Sequence, residues 1–324
     1  MGVRRLDFMC VGFAKSGTTT LYHVLSQHPQ IYLSKIKEPV FWNDETALQR
    51  GKLWYLSRYY KEALSSQITG EINPQITNLG MHELIIKKVL KKNGKIVFIM
   101  RNPIERLYSH FFMDLLWGSF HKIHSDDELV NYDRIFDKFV DQAFEKFCTG
   151  IGDDVYKIDE FAFGNYVYYL DVYSKLFGKE NVFVLIFEEF IQNIQSSCRE
   201  LFDFLNIDKD VNLDFQIKSN EGNYLPRNIM CMMVNGTWND KVWPFICRNF
   251  DINQKIDLFM DRKLNWGMRS NKILLKPTSR KKMSFRTRKH LESIFAPEIQ
   301  KVEEFLGYSL KGIWYRIPDS REVK

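Results

Sequence analysis

The chain has 324 residues, of which 45% are apolar, 15% aromatic and 27% charged. This composition excludes a disordered chain, a collagen-like fibre and a small disulfide scaffold, and the length suits one large α/β domain or two modest ones. The 46 Lys and Arg exceed the 40 Asp and Glu by six, a surplus too small for a dedicated nucleic-acid-binding protein but suited to an anionic ligand.

In the N-terminal third of the chain, short apolar runs alternate with helical periodicity. The run Leu6–Phe13 predicts a buried strand, and the shared face of Leu21, Val24 and Leu25 predicts a helix over Thr18–Gln27. The next predicted strands are Ile31–Leu33, Ile68–Glu71 and Lys95–Met100, and the next predicted helices are Met81–Lys92, which Asn93-Gly94 would end, and one that Pro103 opens.

The remainder of the chain is less regular. We predict a loop over Trp117–Glu128, helices over Tyr132–Phe147, Tyr166–Phe177 and Ile194–Leu205, a strand over Asn181–Phe187, irregular chain from 206 to 280, and over Ser284–Leu306 one or two helices broken near Pro297. Strands that alternate with helices favour an α/β fold, in which a mainly parallel sheet is flanked by helices on both faces.

A glycine- and hydroxyl-rich stretch separates the first strand from the first helix. It reads Gly12-Phe13-Ala14-Lys15-Ser16-Gly17-Thr18-Thr19-Thr20-Leu21. Its backbone N–H groups and the helix N-terminus would bind an anion, with added donors from Ser16, Thr18 and Thr19. The stretch resembles a Walker A loop, except that Thr18 follows Gly17 where the Walker lysine belongs, and the lysine is Lys15. It therefore favours a single 5′-phosphate over a triphosphate; the alternative is an ordinary helix start beside an incidental lysine.

A second candidate anion site follows the strand at Lys95–Met100. Arg101 stands at the carboxyl end of this strand, where doubly wound sheets bind ligands. Ser109 follows eight residues later, about two turns into the next helix. Together they could bind a second phosphate. The alternative is a helix-capping arginine and a surface serine.

The two segments together resemble the sulfotransferases that use 3′-phosphoadenosine-5′-phosphosulfate (PAPS). Lys15–Thr19 matches the family's K-x-G-T-S/T loop for the 5′-phosphosulfate, and Arg101–Ser109 matches its R-N/D-P-x-x-R-x-x-S segment for the 3′-phosphate. Further likeness lies in Lys37–Trp42 (K-E-P-x-F/Y-F/W), Glu71–Pro74 (G-E-x-S/T-P, with Asn73 replacing the hydroxyl residue), Val182–Glu188 and Ser284–Trp314. The likeness is closest to bacterial and heparan-type carbohydrate sulfotransferases.

The resemblance implies a P-loop NTPase-like fold and a single sulfotransferase domain over residues 1–324. Residues of about 117–160 and 206–270, where the likeness thins, would be acceptor-side or irregular insertions. No metal is implied.

The resemblance also implies roles for individual residues. Lys15 would stabilise the leaving phosphate, Glu71 would be the catalytic base, and Lys37 would support the sulfuryl group. Arg280 and Lys281 would close over the 3′-phosphate. Plain alternatives are a structural or helix-capping Glu71 and a surface ion pair between Lys37 and Glu38. Rivals for the base are His23, His28, His82 and His110, and Arg227 is a basic residue of open role.

Three functions remain to be weighed. The first is transfer of a sulfuryl group from PAPS to an acceptor hydroxyl, on a saccharide or, alternatively, on a small alcohol, lipid or acyl chain. Aromatic surface for a sugar could come from six residues, which core packing explains equally well: Tyr22, Trp42, Trp54, Tyr55, Tyr59 and Tyr60. The second is a P-loop kinase or NTPase, and the third is a non-enzymatic module that binds acidic polymers through the basic run 272–289.

Cysteine usage and the N-terminus bear on the compartment. Five irregularly spaced cysteines form no C-x-x-C pair, which favours free thiols in a reducing compartment. The N-terminal apolar run is too short for a signal peptide, and no apolar run is long enough to span a membrane. We therefore expect a cytoplasmic protein of bacterial type, with the catalytic fragment of a Golgi-lumenal enzyme as the alternative.

Overall fold

The structure is a computed structural model that describes residues 4–42, 45–78, 82–117, 123–149, 164–216, 224–237 and 275–315. Five strands form one parallel sheet in the order β2-β3-β1-β4-β5. Their bounds are β1 Leu6–Gly12, β2 Ile31–Leu33, β3 Ile68–Ile72, β4 Leu90–Met100 and β5 Val182–Ile186. A two-stranded antiparallel sheet pairs β6, Tyr224–Pro226, with β7, Leu275–Pro277.

Twelve helices accompany these strands within the described residues. They are α1 Thr18–Leu25, α2 Glu45–Gln49, α3 Gly51–Tyr60, α4 His82–Val89, α5 Pro103–Trp117, α6 Asp126–Val130, α7 Tyr132–Thr149, α8 Tyr166–Phe177, α9 Phe187–Gln192, α10 Ile194–Leu205, α11 Ile229–Thr237 and α12 Phe285–Leu306. Short 3-10 turns lie at Val40–Trp42, Ile76–Asn78 and Lys179–Asn181. No described helix combines the length and the apolarity needed to cross a bilayer.

The central strands are apolar because both faces of the sheet are covered. In β1, Met9 and Val11 face a cluster that includes α4, α5 and α8, whereas Phe8 and Cys10 face α1 and α10. All four side chains are fully buried. The predicted parallel sheet with helices on both faces is therefore confirmed, and its strands carry the continuous apolar runs expected of such a sheet.

The helix predicted over Met81–Lys92 is wrong at its C-terminal end. It ends at Val89, and β4 begins at Leu90, which pairs with Leu6 before Lys95 pairs with Phe8. The residues between these pairs form a bulge, and Lys91 within it donates to Asp7 at 2.5 Å. Burial of Leu90 against the sheet therefore outweighs the helical pattern, and Asn93-Gly94 lies inside the bulge instead of ending a helix.

Two other predictions are corrected. The helix over Ser284–Leu306 is not broken at Pro297, because Leu291, Phe295 and Ile299 bury one continuous face on both sides of it, which outweighs a cost of about 3 kcal/mol. The loop predicted over Trp117–Glu128 contains the start of α6, whose N-cap Ser125 accepts from Glu128 N at 3.2 Å.

The chain from 206 to 280, predicted as irregular, contains β6, α11 and β7 within its described residues. Helix α9 directly after β5, like helices α2 and α3, was not predicted. Parts of both expected insertions, 150–160 and 238–270 among them, lie outside the described residues.

Candidate functional site

The segment between β1 and α1 folds into a tight loop at the carboxyl edge of the sheet. Lys15 and Gly17 have φ angles of 67° and 90°, in the left-handed region. A Cβ on Gly17 would lie 2.8 Å from the ring of Phe187, so a larger residue fits neither the backbone nor the space. Helix α1 has no side-chain cap and no acid in its first turn, which leaves its N-terminus suited to an anion.

Buried donors around this loop fit a bound phosphate. Ser16 is fully buried, and its Oγ has no hydrogen-bond partner among the residues that the structure describes. Nε of Arg101 is also buried and also lacks a hydrogen-bond partner among the described residues. Thr18 is buried and Thr19 half-buried at the start of α1. Because unpartnered buried donors are costly, anion oxygens are the partners that this arrangement suits.

Arg101 is tied to the loop between β1 and α1. It follows the last residue of β4, and its Nη1 donates to the carbonyl of Lys15 at 3.1 Å. Its guanidinium lies 4.8 Å from the centre of the Phe187 ring, and its carbonyl accepts from Tyr166 Oη at 2.6 Å. Burial lowers the pKa of Arg101, whereas the charges of Glu105 and Glu188 raise it. The two segments identified separately in the sequence thus meet at one hydrogen bond.

A buried hydrogen-bond network fixes the turn that carries Arg101. Asn102 Oδ1 caps α5 by accepting from Ile104 N at 2.9 Å, while its Nδ2 donates to the Trp314 carbonyl at 2.5 Å. Glu188 accepts from Asn102 N at 3.0 Å and from Trp314 Nε1 at 2.8 Å. The end of β4, the start of α9 and the C-terminal Trp314 are therefore held together.

Arg101 also lines a basic cavity of about 540 Å³ between α5 and α12. Arg280 lies in the same lining, with its guanidinium 4.5 Å from the centre of the Phe112 ring. Burial, followed by the charge of Arg101, lowers the pKa of Arg280, so the two guanidiniums are close enough to interact. Tyr108 contributes to this lining, whereas Ser109 lies buried on the second turn of α5 outside it.

Lys281 has a different setting from Arg280, although both line the cavity. Its Nζ donates at 2.7 Å to Asp133 Oδ1 and at 2.7 Å to the Val130 carbonyl. Its backbone N–H donates to Tyr132 Oη, and its carbonyl accepts from Tyr108 Oη, each at 2.7 Å. These contacts anchor the segment before α12 to α5 and α7, and they engage the ammonium group of Lys281.

Glu71 lies in β3 opposite Met9 of β1, at the same edge of the sheet, and is 2% exposed. Tyr60 Oη donates to its Oε2 at 3.2 Å, and Asn73 Nδ2 donates to its Oε1 at 3.1 Å. Burial raises the pKa of Glu71 to about 8, although the hydrogen bond from Asn73 lowers it. This carboxyl can therefore exchange a proton near neutral pH.

Lys37 contacts Glu38 in a half-buried ion pair, which matches the plain alternative for this lysine. Burial raises the pKa of Cys10 in β1 to about 12 against an opposing effect of the Lys37 charge, and the charge of Glu38 adds to the burial that raises the pKa of Glu71. The segment that carries both residues therefore lies near the ends of β1 and β3.

Two of the rival histidines, His28 and His110, are poorly suited to act as the base. His28 is buried, and both of its ring nitrogens have partners. Its Nε2 lies 2.8 Å from the carbonyl oxygen of Asp208, and its Nδ1 accepts from Gln30 N at 3.1 Å. Burial, with the charges of Arg106 and Lys15, lowers the pKa of His110 to about 3. Burial also lowers the pKa of His23. The side chain of His82 lies outside the described residues.

Several residues of this site had no signal in the sequence. Phe187 lies in an apolar run that predicts a strand, yet its ring contacts both Gly17 and Arg101. In the sequence, Tyr60 had only its aromatic character, and Tyr166 was predicted only as the first residue of a helix. Arg227, of open role in the sequence, lies exposed directly after β6. Within the described residues, no group of three or more His, Cys, Asp or Glu could hold a metal ion.

Comparison with known proteins adds independent information. Residues 5–228 match the family described as Sulfotransferase domain. The membrane-associated sulfotransferase kil1 of Dictyostelium discoideum is 23% identical over an alignment of 327 residue positions, which spans 80% of this chain and 66% of that protein. Carbohydrate sulfotransferase 15 of Rattus norvegicus is 23% identical over 263 residues, covering 62% of this chain and 43% of that protein. The chain thus spans less than two thirds of the length of either curated relative.

Among solved structures, a sulfotransferase from Alicyclobacillus acidocaldarius has a TM-score of 0.60 at 20% identity, covering 97% of this chain and all of that one. At this identity the likeness concerns the fold, which is the P-loop NTPase-like α/β fold expected from the sequence.

Proposed function

The chain belongs to the sulfotransferase domain family, and we propose on that premise that it transfers a sulfuryl group from PAPS to an acceptor hydroxyl. The observation that carries this proposal is the hydrogen bond between Arg101 Nη1 and the Lys15 carbonyl. It joins an anion-binding loop without a Walker lysine to a basic cavity, and a nucleotide with phosphates at both its 5′ and 3′ positions needs such a pair of sites.

At the donor end, the loop 15–19 would bind the 5′-phosphate through its backbone N–H groups and hydroxyls. Bound PAPS supplies a sulfuryl group whose bond to the phosphate oxygen breaks as the acceptor oxygen bonds to sulfur, and the phosphate keeps the electron pair. Lys15 stabilises the charge that develops on this oxygen. Arg101 and Arg280 would hold the 3′-phosphate in the cavity, with Lys281 in a supporting position. Ser109, which the sequence motif assigns to the same phosphate, is buried on α5 outside the cavity lining.

At the acceptor end, Glu71 would take the proton of the attacking hydroxyl. A general base works best when its pKa lies near the working pH, and burial brings the pKa of Glu71 to about 8. Lys37 lies near the same edge of the sheet, paired with Glu38, and would support the sulfuryl group as it moves.

For the acceptor we propose a saccharide. Of the six aromatic residues considered, Trp42, Tyr55, Tyr59 and Tyr60 are core residues at 5% exposure or less. Trp54 is partly exposed on α3, with the guanidiniums of Arg50 and Arg58 centred 5.0 and 5.3 Å from its ring. Because both guanidiniums lie over the Trp54 ring, the support for a saccharide is that one curated relative is named as a carbohydrate sulfotransferase.

For the compartment we propose the cytoplasm. The free thiols of Cys10, Cys198 and Cys231 support a reducing environment.

The test is a transfer assay with sulfur-labelled PAPS and a panel of polysaccharide, glycolipid and small-alcohol acceptors, in the presence of EDTA. We expect label on a saccharide with the wild-type protein and none with Lys15→Ala. Absence of transfer to every acceptor, together with magnesium-dependent ATP turnover, would replace the proposal with a kinase or NTPase. Label on a lipid or small alcohol would correct the acceptor only.

A further inference from the structure

We infer that Tyr60 is a positioning residue for Glu71, with its phenol holding one carboxylate oxygen while Asn73 holds the other. This inference rests on the proposed function, because Glu71 is there the base. It adds two residues of this chain to that site, one in α3 and one directly after β3.

The carboxylate lies between two donors. Tyr60 Oη is 3.2 Å from Oε2 of Glu71, and Asn73 Nδ2 is 3.1 Å from Oε1. The Asn73 amide cannot turn round without loss, because its Oδ1 accepts from Gln75 N at 3.1 Å. With one donor on each oxygen, the plane of the carboxylate is set, and each oxygen retains a lone pair for the proton of an acceptor.

A second tyrosine orients the hydroxyl of Tyr60 so that it donates to Glu71. Tyr55 Oη donates to Tyr60 Oη at 3.3 Å, so the single proton of Tyr60 is left for Glu71. Both tyrosines are buried side chains of α3. Burial raises the pKa of Tyr60 well above 10, which keeps the phenol protonated over the whole range in which Glu71 titrates.

The surroundings of Glu71 otherwise disfavour its charged form. The side chain is buried, and the nearby charge of Glu38, itself in contact with Lys37, acts against a second carboxylate. The donors from Tyr60 and Asn73 are therefore what makes an anionic Glu71 accessible near neutral pH.

The experiment is a carbon-13 NMR titration of the full chain labelled at the glutamate side-chain carboxyls. The Glu71 resonance is assigned by its loss in Glu71→Gln. The wild type is expected to titrate near 8. Because a hydrogen bond to a charged group contributes about 1.5–3 kcal/mol, Tyr60→Phe should raise the midpoint by about 1 pH unit or more. The matched control Tyr55→Phe, in the same helix and without contact to Glu71, should raise it by less.

Asn73→Ala provides a second variant, outside α3, and should also raise the midpoint by about 1 pH unit. A folded Tyr60→Phe protein that titrates like the wild type overturns the inference, and if that variant does not fold, an unshifted Asn73→Ala does so. Failure of the proposed function looks different: Glu71→Gln would then retain full sulfuryl transfer, whatever the titration of Glu71 shows.

Discussion

Replacement of Gly17 by alanine is a sharp test of the phosphate loop. The added methyl would lie 2.8 and 2.9 Å from two ring atoms of Phe187, at a residue whose φ is 90°. The left-handed backbone costs alanine about 1 kcal/mol. Overpacking against the ring costs about 1–3 kcal/mol more, because Phe187 is covered by the guanidinium of Arg101 and has little room to move. We therefore expect a loss of stability of about 2–4 kcal/mol.

A matched control separates the two contributions. Gly51 also has a positive φ, of 77°, but a methyl there meets no described atom within 4 Å. Gly51→Ala should therefore show the backbone cost alone. The free energy of unfolding is measured in urea, and the affinity for adenosine 3′,5′-bisphosphate (PAP) is measured by calorimetry. If Gly17→Ala is no more destabilised than Gly51→Ala and binds PAP like the wild type, the packing of this loop on Phe187 has been misread.

Three further substitutions test the remaining parts of the site. Lys15→Ala should abolish transfer of labelled sulfuryl groups while the thermal unfolding curve changes little; retained transfer contradicts the role of Lys15. Arg101→Ala should weaken PAP binding in calorimetry by about 2–3 kcal/mol, because a charge-assisted contact is lost, and unchanged affinity counts against the second site. Glu71→Gln tests whether Glu71 is buried. Burial raises the pKa of Glu71 from 4.5 to about 8. The free energy of unfolding of the wild type should therefore fall by at most about 5 kcal/mol as the pH rises through this range. In urea titrations, the stability of the variant relative to the wild type should therefore increase between pH 5 and pH 9. If the difference in free energy of unfolding between the two proteins is the same at both pH values, Glu71 is not buried as described.

The parts of the site that the sequence predicts are those encoded locally. A strand, a glycine-containing loop and a helix follow each other within residues 6–25, so the phosphate loop is placed by its own neighbours. Arg101 is placed in the same way, at the end of an apolar strand. The parallel order of the sheet then brings both to one edge, as expected of strands joined by helices.

The periodicity of the sequence does not predict which distant segments contact each other. Tyr60 meets Glu71 because α3 packs against the edge of the sheet, and nothing in its spacing distinguishes it from the other buried tyrosines of that helix. Phe187 directly follows β5, and the pairing of β5 with β4 places its ring beside Gly17. Lys281 and Arg280 are adjacent and alike in sequence, yet the ion pair of Lys281 with Asp133 of α7 depends on a segment 148 residues away.

One missed element did have a local signal. Ser125 and Glu128 have the spacing of a helix N-terminus, which places the start of α6 inside the predicted loop. The break predicted at Pro297 shows the opposite case, because a strong local signal was overridden by the buried face of α12.

The central claim is that the loop 15–19 and Arg101 bind opposite ends of one nucleotide. A crystal structure of the protein with PAP tests it most directly. The account predicts the 5′-phosphate within hydrogen-bond distance of Ser16 and the start of α1, and the 3′-phosphate in the cavity between Arg101 and Arg280. A nucleotide bound away from this edge of the sheet, or with its 3′-phosphate remote from Arg101, would contradict it.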